Sequence, residues 1–437
     1  MAAKSVEKIL GERGLTDFQK TVIAISGFAW TFVAMEILLI SFVLFTIQSQ
    51  WHFDEFTFGV LASATLVGSF IGSIILGRVS DTYGRRSVFQ FSVLWYSLFT
   101  ALTAISWNVE SFFTLRFLAG LGLGGVLVVD PAMLSEFLPP QSRGRYLVFL
   151  DFFWPIGFLV ALVLSFFFLE ILGNAWRPLF IAAAFPAFIA FVFRRMVPES
   201  PYFLAREGRM REASKVLSQV TGRKVKPSDI KPEAVGQRMP ISSLFSRKLK
   251  RSSYVIIAVW VALNFSYYGL FLWLPTVLPA NRGFDPGNVY VNLIYSALAQ
   301  FPGYLTSMFL VERWGRRSTL ATFLILGGLS GYVFATATSY PAFIAGLFFV
   351  SFFNLGAWGA VYPYTAELFP TQLRATGFGL AEGVGKVTAI LAPIAFGVLL
   401  VLTRNVIAPL TSVAILMFLG GIVAVTLGRE TKGKPFI

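Results

Sequence analysis

The 437-residue chain has no cysteine, one histidine (His52) and only 13% charged residues. The lack of cysteine excludes disulfides, thiolate metal sites and cysteine nucleophiles together. One imidazole leaves no histidine cluster for a metal or a proton relay. No nucleophile-and-base set appears elsewhere, so an enzyme is not expected and no cofactor or metal is predicted. The shortage of charge is equally informative, because soluble domains average about 25%. What fills the chain is apolar: 56% hydrophobic residues, 47 Phe and a mean hydropathy of +0.71. A spanning helix takes about 20 apolar residues. The expected class is therefore an all-α membrane protein.

Apolar runs bounded by charges, Gly or Pro predict twelve spans, at 21–47, 58–80, 88–107, 112–137, 145–169, 176–197, 253–277, 287–312, 318–337, 341–365, 375–402 and 406–428. Of the 36 Lys and Arg, all but Arg116, Arg177, Arg282, Lys386 and Arg404 fall in the termini or in loops on one side. Cationic loops stay on the cytoplasmic side, so a multi-pass protein of the cell membrane with both termini inside is expected. The net charge of +14 is then an orientation signal, and no nucleic-acid partner is predicted. The segment before Thr21 is polar and amphipathic and does not read as a cleaved signal peptide.

The expected organisation is a cytoplasmic N-terminal segment (1–20), a six-helix bundle (21–197), a basic cytoplasmic linker (198–252) with a short helix around Met210 to Val220, a second six-helix bundle (253–428) and a cytoplasmic tail (429–437). Sliding the chain on itself by 231 residues aligns Asp81 with Glu312, Gly84 with Gly315, Arg85 with Arg316, Glu136 with Glu367, Arg143 with Arg374, Asp151 with Glu382 and Glu199 with Glu430. One offset shared by so many scarce charges points to an internal duplication. Two pseudo-symmetric six-helix bundles follow from it.

The loop after span 2, Gly77-Arg78-Val79-Ser80-Asp81-Thr82-Tyr83-Gly84-Arg85-Arg86, resembles the signature loop of the major facilitator superfamily, with Glu312-Arg313-Trp314-Gly315-Arg316-Arg317 as its degraded copy. Pro198-Glu199-Ser200-Pro201 and Glu430-Thr431-Lys432-Gly433-Lys434 resemble sugar-porter signatures. Pro363 to Gly377, and Leu134 to Pro140 followed by Arg143-Gly144-Arg145, are more similar to the branch of niacin permeases, synaptic vesicle proteins and organic ion transporters. The resemblance covers the whole chain and implies a secondary transporter working by alternating access. In the signature loop the glycines permit a tight turn, and Asp81 is placed to cap a helix and to pair with arginines.

Charges at the basic end form two candidate gate sets, Asp81, Arg85, Glu136, Arg143 and Glu199, then Glu312, Arg316, Glu367, Arg374 and Glu430. They read either as an intracellular gate or as fixed helix-end bridges. Charges inside spans are costly unless paired or facing water. Resemblance to proton-coupled sugar porters implies that Glu36 pairs with Arg116 as a proton-coupling site, with Asp151 as a further candidate; a permanent structural bridge is the alternative. The branch usually has two aspartates three residues apart in span 1, whereas this chain has Val33 and Glu36. Asp130 precedes Pro131 and reads either as satisfying backbone groups that the proline frees or as serving transport. Glu382 and Lys386 are four apart on one helix face, either neutralising each other or presenting Lys386 to an anionic solute. Trp30, Asp151, Trp154, Asn264, Tyr267, Tyr268, Gln300, Asn354, Trp358, Glu382 and Lys386 are the candidate solute-binding residues.

The expected function is proton-coupled symport of a small organic solute, favoured as an organic monocarboxylate, aromatic ones included, by a monomer in the lipid bilayer. A sugar or polyol transporter, an organic-cation transporter and a non-transporting receptor or sensor are the alternatives.

Overall fold

The computed structural model describes residues 4–12, 14–140, 143–231, 240–278, 289–370 and 373–432. Residues 232–239 of the linker, Arg282, and Gly433 and Lys434 of the tail motif lie outside them. Among the described residues twelve long helices follow one another, and no strand is present. They are α1 (Asp17–Trp51), α2 (Glu55–Tyr83), α3 (Arg85–Thr103), α4 (Val109–Phe137), α5 (Arg143–Ile171), α6 (Trp176–Arg194), α7 (Lys250–Phe271), α8 (Val289–Arg313), α9 (Arg316–Thr336), α10 (Tyr340–Glu367), α11 (Arg374–Thr403) and α12 (Ile407–Leu427). Nine of them are long and apolar enough to cross a membrane by length and composition, and α3, α6 and α8 complete the two six-helix bundles. The linker helix spans Met210–Thr221.

The duplication is visible in the helix bounds. Starts at Arg85 and Arg316, Val109 and Tyr340, Arg143 and Arg374, and Trp176 and Ile407 all differ by the same 231 positions. Two helices break where the sequence predicted continuous spans. The last span of α5 before its break ends at Asp151 and resumes at Trp154-Pro155, and α7 ends at Phe271 with a further turn at Leu274–Val277 containing Pro275. Each proline ring crowds the carbonyl four residues earlier, which is Asp151 in one case and Phe271 in the other, the last residue of each preceding helix.

The chain divides into two compact units. One comprises Met1–Glu36, Val67–Gly157 and Arg177–Gln237, the other Ile37–Leu66, Phe158–Trp176 and Arg238–Ile437. In the first, the polar lead folds as a short helix, Val6–Leu10, whose Val6, Ile9 and Leu10 share a buried cluster with Val216, Leu217 and Val220 of the linker helix and with Met133 and Phe137 of α4. Backbone bonds Lys4 N to Asp229 O and Lys231 N to Lys4 O, both 2.8 Å, fasten lead to linker. Glu12 pairs with Lys4 at 2.7 Å and with Arg223, and these hydrogen bonds hold its carboxyl below the ordinary range.

The second unit contains a tight seam. Phe58 of α2 stacks on Trp273 at 4.2 Å, and Trp273 stacks on Phe396 of α11 at 5.1 Å while donating from Nε1 to the Pro393 carbonyl at 3.0 Å. Ser63 Oγ donates to the Ile390 carbonyl at 2.7 Å. A Cβ on Gly59 would lie 2.5 Å from the Pro393 oxygen, and one on Gly397 would meet the Glu55 carbonyl. Glycine is needed at both positions for this approach.

Candidate functional site

In the first unit, small residues set the geometry. An added Cβ at Gly122 would lie 2.7 Å from the Ser92 oxygen and the Tyr96 nitrogen, so α4 lies directly against α3. That contact carries Thr100 of α3 and Arg116 of α4 to Glu36 of α1. Arg116 Nη1 lies 3.3 Å from Glu36 Oε2, Arg116 Nη2 donates to the Glu36 carbonyl at 3.1 Å, and Thr100 Oγ1 donates to Oε2 at 2.9 Å. Glu36 and Arg116 are both fully buried, and the guanidinium lies 5.3 Å from the Phe180 ring centre. Glu36 Oε1 has no hydrogen-bond partner. One oxygen is thus engaged and the other is free to take a proton, the arrangement a protonation switch requires. Thr100 was not anticipated, since a threonine within a span carries no distinguishing signal.

Asp130 is fully buried and accepts from Ser26 Oγ of α1 at 3.0 Å. The short serine on the facing helix gives it a side-chain partner. Asp151 is buried at the α5 break, where Trp154 packs against Trp30 with ring centres 6.2 Å apart.

In the second unit the candidates gather around α7. Trp260 meets Trp358, Tyr362 and Phe378 edge to face at 5.7, 5.8 and 5.8 Å and donates from Nε1 to Thr365 Oγ1 at 3.0 Å. Tyr267 contacts Tyr268 at 5.1 Å, Phe271 at 4.7 Å and Trp358 at 6.4 Å. Asn264 Nδ2 donates to the Trp260 carbonyl, and a Cβ at Gly385 would sit 2.6 Å from that amide nitrogen. Gly385 therefore brings α11 onto α7 beside its neighbour Lys386, whose Nζ lies 3.3 Å from Glu382. Lys386 is the more enclosed partner, 17% exposed against 38% for Glu382. Asn354 Nδ2 donates to Ser266 Oγ at 2.7 Å, while Asn354 Oδ1 and both amide atoms of the fully buried Gln300 have no partner. Tyr362 and Phe378 were missed. Tyr362 was discoverable, because it follows Trp358 by four on α10.

The gate sets resolve into parallel arrangements within their units. Arg85 lies 2.7 Å from Asp81 and 3.4 Å from Glu136; Arg316 lies 3.0 Å from both Glu312 and Glu367. Glu199 accepts from the backbone N–H groups of Arg85 at 2.9 Å and Arg86 at 3.2 Å. Glu430 likewise accepts from Arg316 N at 2.8 Å and Ser318 N at 3.2 Å. Each carboxylate caps the start of the third helix of its own half, where the helix dipole favours negative charge. Gly84 and Gly315 precede those helices at φ 94° and 107°, and a Cβ on Gly315 would lie 2.5 Å from Glu430 Cδ. Glu199 reaches these N–H groups because the glycine turn opens them to the chain returning after α6. Burial tends to raise the Glu430 pKa, but the N–H donors of Lys432, Ser318, Arg316 and Thr431 prevail and hold it below the ordinary value. Arg143 donates to Tyr202 Oη at 3.2 Å, and Arg374 opens α11, half-buried. Among the described residues no group of three or more His, Asp or Glu could hold a metal ion.

The twelve-helix fold and the family match together make this a membrane transporter of the major facilitator type, not an enzyme. The profile of the sugar (and other) transporter family matches residues 21–437, and the chain belongs to that family. It is 35% identical over 421 residues to the niacin transporter of Acinetobacter baylyi, covering 95% of each chain. To the putative niacin/nicotinamide transporter of Bacillus subtilis it is 31% identical over 416 residues, covering 95% of this chain and 97% of the relative. The partially occluded, inward-open xylose transporter XylE of E. coli superposes with a TM-score of 0.77 at 17% identity, covering 96% of this chain and 100% of that one.

Proposed function

We propose that the protein is a proton-coupled symporter of a small aromatic monocarboxylate, working by alternating access in the cell membrane with both termini cytoplasmic. The observation that carries the reading is the buried Glu36–Arg116 pair with one carboxylate oxygen left free. Protonating Glu36 weakens its hold on Arg116 and lowers the cost of separating α1 from α4; releasing the proton restores the pair. Asp151 at the α5 break is the second coupling candidate. The seam of Phe58, Gly59 and Ser63 against Trp273 and Pro393 must part when the transporter opens on that side. At the basic end Arg85 with Asp81 and Glu136 in one unit, and Arg316 with Glu312 and Glu367 in the other, are the candidate gate groups, together with Arg143, Glu199, Arg374 and Glu430.

For the solute, the aromatic lining around Trp260, Tyr267 and Trp358 suits a planar ring, and Lys386 supplies a cation for a carboxylate. Asn264, Gln300 and Asn354 offer amides for further polar contacts. Relatives named as niacin transporters support an aromatic acid. A sugar or polyol is the second reading, favoured by the family description and by the unpartnered amide of Gln300. The test is uptake of nicotinate, benzoate, lactate, glucose and choline into proteoliposomes, with and without an inward proton gradient. Gradient-dependent accumulation of the aromatic acids is expected; accumulation of glucose alone overturns the solute assignment.

A further inference from the structure

We propose that residues 240–254, the approach to α7, hold an anionic phospholipid of the leaflet at the basic end of the protein. α7 has 22 residues, about 33 Å at 1.5 Å per residue, which matches the hydrocarbon core of a bilayer. Its first residue, Lys250, therefore comes to the level of the headgroups. The chain before it is folded back against the helix. In the short 3-10 helix Ile241–Phe245, Leu244 is fully buried, its carbonyl accepts from Ser253 Oγ at 2.7 Å, and Phe245 packs on Tyr254 with ring centres 5.8 Å apart. That fold leaves apolar groups on the outside. Ile241 is 58% exposed, Phe245 39% and Tyr254 59%.

Beside them Arg247, Lys248 and Lys250 are exposed and, among the described residues, pair with no acid. Residues 240–254 contain no Asp or Glu. Linker arginines elsewhere are neutralised locally, Arg209 by Glu212 at 2.7 Å, Arg206 by Glu207 at 3.6 Å and Arg223 by Glu12. Arg251 donates to the Leu427 carbonyl at 2.7 Å and to the Thr426 carbonyl at 3.3 Å, which ties the patch to the end of α12, where Arg429 is exposed. The acid that follows, Glu430, is held by the N–H groups at the start of α9. Exposed apolar side chains next to unneutralised cations at headgroup depth fit one kind of molecule, with acyl chains for the first and a phosphodiester of net negative charge for the second. A zwitterionic lipid brings the same chains but carries its own ammonium.

The test is native mass spectrometry of the full chain in neutral detergent, titrated with dioctanoyl phosphatidylglycerol, dioctanoyl phosphatidylcholine and glycerol 3-phosphate. The unaltered protein should retain phosphatidylglycerol about a hundredfold more tightly than phosphatidylcholine, at about fivefold for each of three cations. Equal retention of the two lipids overturns the proposal, and so does glycerol 3-phosphate bound as tightly as phosphatidylglycerol, since a free phosphate would then suffice. Arg247→Gln/Lys248→Gln/Lys250→Gln should remove the preference and leave phosphatidylcholine unchanged. Ile241→Ser/Phe245→Ser should weaken both lipids about tenfold or more; phosphatidylglycerol binding unchanged in either variant contradicts the site. Arg211→Gln/Lys215→Gln/Lys224→Gln removes as many exposed linker cations away from the apolar patch and should change nothing. Equal losses in the two triple variants overturn the assignment, as attraction to the overall charge of +14. None of these outcomes depends on the solute or on the coupled proton.

Discussion

At the shared 231-residue offset, Glu36 and Arg116 of the N-terminal half correspond to Tyr267 and Leu347 of the C-terminal half. All four are buried, but one pair is ionic and the other is a phenol and an aliphatic chain. The reverse holds for the solute candidates: Asn264, Asn354, Trp358 and Lys386 correspond to Val33, Leu123, Leu127 and Pro155. What the halves keep in common lies at the basic end, where Glu199 and Glu430 cap α3 and α9 behind the same glycine turn. Duplication thus preserved the helix-end architecture and let the interiors diverge. Under the proposed function, proton chemistry falls chiefly to the first half and most solute recognition to the second.

The comparison can be broken first at its ionic member. Arg116→Ala leaves a buried carboxylate without its cation and should destabilise the protein by about 3–5 kcal/mol, with Glu36→Gln/Arg116→Leu recovering much of the loss. Thermal unfolding in detergent checks this; equal melting of the single and double variants contradicts an ionic pair. Gly84→Ala and Gly315→Ala should each cost about 1–3 kcal/mol, from the positive φ and the carboxylate behind it. Strongly unequal losses would show that the two caps are not equivalent. Lys386→Gln should weaken carboxylate solutes about tenfold and spare neutral analogues, as binding measurements can separate. The smallest effect is expected from Glu430→Gln, at most about 1 kcal/mol because the site is partly solvated. Since the folded Glu430 pKa is lowered, its contribution is complete above the unfolded value and is lost as pH falls through the folded one. The unaltered protein should therefore lose more stability than Glu430→Gln on acidification, and parallel losses would reject the cap.

Much of this was legible because charges are scarce. With so few inside spans, Glu36, Arg116, Glu382 and Lys386 stood out, and the offset supplied the repeat. The breaks were not legible: Pro155 and Pro275 end helices, whereas Pro131, Pro186, Pro302, Pro363 and Pro393 stay inside them. Packing decides which prolines interrupt. The glycine turns at Gly84 and Gly315 were legible, but that Glu199 and Glu430 would reach the N–H groups behind them was not, because each lies 114 residues along the chain from the first of those groups. Thr100 and Ser26, which hold the two buried carboxylates of α1 and α4, are ordinary small polar residues until the helices meet.

The central claim is that Glu36 takes up and releases the coupled proton. Glu36→Gln, reconstituted into proteoliposomes, is predicted to lose accumulation driven by an inward proton gradient while retaining counterflow exchange of the same solute. Gradient-driven accumulation at the level of the unaltered protein would contradict it.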